Sequence, residues 1–154
     1  MIQRIQSIYL LLVAILMGVA TFVPLIILKA LDNLDGMPYI FTSLGIGQPT
    51  LLEYPTWGVC SFTLLATILA FINIFLYKKR KLQIKLSSCI AIIILLFYVT
   101  VYVYFSSYTA KYNLSFTSLQ YGLVLPLIAL IFNILAIIKI KKDEKLVRSL
   151  DRIR

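Results

Sequence analysis

The sequence predicts an all-α membrane protein, an antiparallel bundle of four transmembrane helices carrying a small extracytoplasmic β-sheet. Three observations predict it. The chain of 154 residues is 61% hydrophobic with a mean hydropathy of +0.96, whereas a soluble domain is about 45–50% apolar. Four long runs carry no formal charge, and each is close to the ~20 residues that cross a hydrocarbon core as a helix. The cations behind the net charge of +9 gather at the ends of those runs. A globule of this size leaves much of its surface wet, so it could not hide the apolar excess in a core. A single integral membrane domain over residues 1–154 follows.

The first span is expected over residues 7–28. Its apolar run is longer than that of a signal peptide, and Pro24 and Lys29 stand near its end rather than a small-residue cleavage site. Pro24 lacks a donor and is expected to kink the last turns. Ala14 and Gly18 share a face and let another helix come close. Residues 29–54 then form an outer loop rich in Gly, Pro, Asp and Asn, with the turn signal Asp35-Gly36. Tyr39 to Ser43 within it is rich in strand formers.

The second span is expected over 55–77, with Pro55 in its first turn, where a missing N–H does no harm. Tyr54 and Trp57 fall where an aromatic belt belongs. Ala66 and Ala70 repeat the small-residue spacing. Residues 78–85, Lys-Lys-Arg-Lys-Leu-Gln-Ile-Lys, hold the only dense charge in the middle of the chain. So short an inner loop joins antiparallel neighbours. The third span is expected over 86–108. An outer loop follows at 109–118, where Tyr112, Leu114 and Phe116 alternate with polar residues in strand fashion. We expect this stretch to pair with residues 39–43. The fourth span is expected over 119–138. In the tail 139–154, Leu146, Leu150 and Ile153 recur at helical spacing among cations, which reads as a short amphipathic helix on the anionic inner-leaflet lipids or on a partner.

Cation placement sets the orientation. If Arg4, residues 78–85 and the tail share one side, that side holds 13 of the 15 Lys and Arg residues. The positive-inside bias then puts both termini in the cytoplasm. Cys60 and Cys89 start their spans from opposite sides, about 20 Å apart in depth by helical rise, too far for a disulfide.

Composition also excludes functions. The chain has no histidine, which removes the commonest general base and zinc ligand. Vicinal thiols, a phosphate loop and a nucleophile elbow are all missing from the sequence. No Asp, Glu, Lys or Arg lies inside a predicted span, which argues against ion-coupled transport. The expectation is a non-enzyme without cofactor or metal. The charge follows span ends rather than a polar face, so nucleic acid is not an expected partner. Asn73 and Asn133, each followed by Ile near a cytoplasmic end, read as interhelical glue. Tyr98, Tyr102, Tyr104 and Tyr108 read as interfacial belt and core packing, with contact to a quinone or other aromatic ligand as the alternative.

The ends of the chain add a resemblance. Met1-Ile2-Gln3-Arg4-Ile5-Gln6-Ser7-Ile8-Tyr9-Leu10 and the stretch Lys142-Asp143-Glu144-Lys145-Leu146-Val147-Arg148-Ser149-Leu150-Asp151-Arg152-Ile153-Arg154 resemble a family of small four-span proteins of Bacteroidetes, a domain of unknown function. The resemblance implies the bacterial inner membrane and transfers no catalytic residue. It also implies that the cytoplasmic ends matter, so Gln3, Arg4 and Gln6 are expected to meet Asp143, Glu144 or Asp151, with Arg148 and Arg152 as further contacts. The expected role is a non-enzymatic accessory or scaffold subunit of an inner-membrane complex, with membrane-protein partners. The alternative is a small-molecule or lipid-binding membrane protein using the tyrosine-rich outer half.

Overall fold

The fold comes from a computed structural model that describes residues 2–30, 37–48 and 51–151, with side chains over 5–30, 37–48, 53–77 and 79–145. The described residues form four α-helices and five strands, in the order α1 (Ile2–Phe22), β1 (Ile26–Ala30), β2 (Tyr39–Phe41), β3 (Gly45–Gln48), β4 (Leu51–Pro55), α2 (Trp57–Phe75), α3 (Arg80–Tyr112), β5 (Leu114–Leu119) and α4 (Tyr121–Asp151). All four helices are long and apolar enough to cross a membrane.

Each helix buries a stripe at alternating four- and three-residue spacing. On α1 it is Gln6, Leu10, Val13, Met17 and Ala20; on α2, Val59, Thr63, Ala66, Ala70 and Asn73. On α3 it is Gln83, Ser87, Ile90, Ile94, Phe97 and Val101; on α4, Ala129, Asn133, Ala136, Ile140 and Asp143. That spacing averages 3.5 residues and is the seam along which helices wrap one another. The stripes meet with α1 against α2 and α4, and α3 against the same two. Val13, Ala14, Met17, Ala66, Ala70, Ile90 and Ala129 form the middle of the core. The opposite faces expose Ile15, Leu64, Ile92, Leu95 and Ile131, as lipid-facing surfaces would.

The structure corrects several boundaries. The apolar run 7–28 is a helix followed by a strand, and Pro24 ends α1 instead of kinking it. A proline cannot continue the helical bonding, and Ile26 and Ile27 beyond it are β-branched. Pro55 closes β4 opposite Gly45 and is not in the first turn of α2. Most of the expected inner loop 78–85 is helix, because Lys, Arg, Leu and Gln are good helix formers. A 3-10 turn at Leu76–Lys78 and the single residue Lys79 join α2 to α3. The fourth span does not stop at 138. With no Gly or Pro after Pro126, α4 continues through the basic tail, and the separate surface helix is not seen.

The strands form one antiparallel sheet in the order β4-β3-β2-β1-β5. The expected pairing of residues 39–43 with 112–116 is not direct. β1 lies between them, with Ile27 opposite both Ile40 and Ser118. The sequence assigned β1 to the first helix, which hid the central partner. The sheet seats on the helix ends through Ser43 Oγ, which donates to the Ala20 carbonyl at 3.2 Å, and Thr56 Oγ1, which donates to the Ser43 carbonyl at 3.0 Å. A second core of Leu25, Leu28, Phe41, Ile46, Val59 and Phe97 fills the space beneath it.

Candidate functional site

The basic end of the helices holds a buried polar network. Asn73 Nδ2 donates to Ser87 Oγ at 2.8 Å and to the Gln83 carbonyl at 3.4 Å. Gln83 Nε2 returns a bond to the Asn73 carbonyl at 3.2 Å. Asn133 Nδ2 donates to the Ser87 carbonyl at 2.8 Å. Three helices are thus joined around Ser87, and all four residues are fully buried or nearly so. Every amide here has its N–H group on a backbone carbonyl, which can only accept, so the orientation of each amide is fixed. The side-chain oxygens of Asn73, Gln83 and Asn133 are left buried without a protein donor.

Nearer the chain ends a second tie closes the same end. Gln6 Nε2 donates to Asp143 Oδ2, and Arg80 Nη1 donates to the Asp143 backbone carbonyl at 3.1 Å. Gln6 and Asp143 are both buried. A hydrogen bond to a carboxylate is among the stronger kinds, and it offsets part of the penalty of burying that charge. α1, α3 and α4 therefore share one fixed point. Tyr9 stacks on Phe132 with ring centroids 6.0 Å apart, adding a further contact between α1 and α4.

Among the sequence-predicted residues, Gln6, Asn73 and Asn133 fall in these two clusters. Gln3, Arg4, Arg148 and Asp151 lie in α1 and α4 at positions whose side chains are outside the described residues, and Arg152 is outside them altogether. Sequence reasoning missed Gln83 and Ser87 by treating this stretch as loop and span edge. Their signal was their phase: they continue the buried stripe of Ile90, Ile94 and Phe97.

The sheet end carries the tyrosines, and the structure divides them between two places. Tyr98 and Tyr102 line an apolar groove of about 490 Å³ with Val101, Phe105, Phe116 and Leu119. Tyr98 is turned inward, its hydroxyl donating to the Leu123 carbonyl at 2.7 Å. Tyr104 and Tyr108 belong instead to a column along α3. Tyr104 stacks on Tyr108 at 6.1 Å, and Tyr108 on Tyr112 at 6.0 Å, with interplanar angles of 10° and 15°. Tyr54 leans onto the column from β4, 4.7 Å from Tyr112 and 5.4 Å from Tyr108. A hydrogen bond shared with Tyr112 and then partial burial push the Tyr54 hydroxyl up to about 12, because a bond given by the phenol is lost with its proton. Tyr54 and Tyr112 are the members of this group that sequence reasoning missed, because they lie on a strand and at the helix end, outside the expected third span.

The chain belongs to the domain-of-unknown-function family DUF4293. The match to that family runs over residues 2–153. No curated protein matches the chain. Among the described residues no group of three or more His, Cys, Asp or Glu side chains could hold a metal ion. Cys60 and Cys89 are free thiols, the first buried and the second exposed.

Proposed function

We propose that this DUF4293 protein is a non-enzymatic accessory or scaffold subunit of a bacterial inner-membrane complex, a four-helix bundle with both termini in the cytoplasm. The observation that carries the reading is the length and anchoring of α4. Its 31 residues extend about 46 Å at 1.5 Å each, against a hydrocarbon core of about 30 Å. The last turns therefore stand clear of the bilayer on the side where the positive-inside bias puts them. Gln6 and Arg80 hold that part of the rod at Asp143, and Lys139, Lys141, Lys142 and Lys145 stay exposed around it. A rigidly mounted cluster of cations suits an acidic membrane-protein partner, whereas a free tail would lose entropy on docking.

Photo-crosslinking residues placed at 141 and 145 in native membranes test this. One discrete protein adduct, lost when Lys139→Glu and Lys142→Glu are added beside the probe, is the expected result. Adducts to lipid alone would overturn it. Terminal tags reachable from outside intact cells would overturn the orientation.

The groove favours one second reading, a lipid-binding membrane protein. Its lining is almost wholly apolar and its rim is exposed, with Tyr102, Phe116 and Leu119 all more than half accessible. An acyl chain retained through purification and lost on Val101→Trp, which fills the groove, would support it. Unchanged lipid content in that variant would end it.

A further inference from the structure

A smaller cavity of about 90 Å³ lies between the sheet and the end of α3. Tyr39, Tyr54, Tyr108, Tyr112 and Glu53 line it, and all five strands contribute to its wall. It differs in kind from the apolar groove, because four tyrosines and a glutamate share its lining with three aliphatic residues. No cation lines it. Lys111, which does not line the cavity, sets its Nζ 5.3 Å from the Tyr112 centroid, so a cation already rests on one of these rings.

Aromatic faces attract cations through the ring quadrupole, most strongly where water is excluded. A carboxylate beside them adds charge attraction, and phenol oxygens can accept hydrogen bonds from an ammonium group. A neutral sugar could give hydrogen bonds to Glu53 but would gain no charge attraction from it, and an anion would be repelled. The space exceeds the 10–15 Å³ that one water needs and suits a small branched head group. At the sheet end of helices long enough to span a bilayer, the site would sit near head-group depth.

We propose that this cavity is a binding site for an organic ammonium group, either the head of a zwitterionic lipid or a free amine. The site is separate from the basic face proposed for partner docking, so either can fail without the other.

The test uses the full chain in maltoside micelles and isothermal titration with choline, ethanolamine and 3,3-dimethylbutan-1-ol, the uncharged analogue of choline. Choline should bind at least tenfold more tightly than the uncharged analogue, as a cation–π and charge contribution of about 1.4 kcal/mol or more implies. Glu53→Gln and Tyr108→Leu should each weaken choline binding by several-fold. Glu53 is exposed, so its variant is expected to keep the native circular dichroism spectrum. Nanodiscs separate the sources. Choline-headgroup lipid discs that block ethanolamine binding, where phosphatidylglycerol discs do not, point to a lipid head; equal binding in both points to a free amine. Equal affinity for choline and its uncharged analogue would overturn the proposal, as would no heat from any of the three with the folded wild type.

Discussion

The two ends of the molecule are held together by opposite means. At the basic end, helices meet through directional bonds between buried polar groups, with Ser87 and Asp143 as the two hubs. At the sheet end, fit dominates: ring stacking, a filled core under the strands, and backbone surfaces brought very close. Gly122 shows how close. Its N–H donates to the Pro24 carbonyl at 3.1 Å, and a Cβ there would lie 2.8 Å from the Val23 carbonyl oxygen and closer still to that of Pro24. Gly58 is milder, since its Cβ would meet the side chains of Thr100 and Tyr104 at 3.2 Å. One end should therefore be intolerant of added volume and the other intolerant of lost partners.

Gly122→Val should give the largest effect. The obstacle is backbone that cannot step aside, and overpacking of this sort costs about 3 kcal/mol or more. Loss of cooperative thermal unfolding in micelles would show it. A stability within 1 kcal/mol of wild type would mean that the joint between α4 and residues 23–24 is looser than described.

Gln6→Leu should come next. It leaves the buried Asp143 carboxylate without its side-chain donor, a change worth about 2 kcal/mol for a charged acceptor. Chemical denaturation should show the loss, and Asp143→Asn in the same background should recover part of it by removing the charge.

The Ser87 hub predicts a smaller and non-additive effect. Asn73→Leu should cost about 1 kcal/mol, in the range of interhelical hydrogen bonds in membranes. Gln83→Leu alone should cost a similar amount. The double variant should cost less than their sum, because each amide bonds the other residue's carbonyl, and losing one bond already loosens the geometry of the second. Strict additivity would show that the two amides are not energetically coupled.

The smallest effect is alkaline. The Tyr54 pKa lies above the ordinary 10, at about 12. Its hydrogen-bond contribution is therefore whole below pH 10 and is lost as pH rises toward 12. Phenolate absorbance should show a late-titrating component that shrinks by one tyrosine in Tyr54→Phe. Stability that held level between pH 10 and 12 would place the bond elsewhere.

These same two ends explain what was legible in the sequence. Hydropathy located four long apolar helices, because a lipid-facing helix exposes apolar residues all round and needs no pattern to be seen. It misread residues 26–28, since a strand whose buried and half-buried positions are all apolar reads as continuously as a helix. That error displaced β1, and with it the true neighbour of β2 and β5. The asparagines stood out because they interrupt apolar runs. Gln83 and Ser87 did not, because they sit beside a dense run of lysines that suggested solvent. The tyrosines were counted as one group along one helix. Only their partners on β4 and β5 separate a stacked column from a groove wall.

The link between α2 and α3 has a consequence for how the two can move. Lys79 is the only residue between the 3-10 turn and α3, and one residue reaches at most about 3.6 Å. Once folded, neither helix has slack to slide along the other. On the membrane reading, neither helix can change its depth in the bilayer without drawing the other with it, so the two ride as a single folded-over pair.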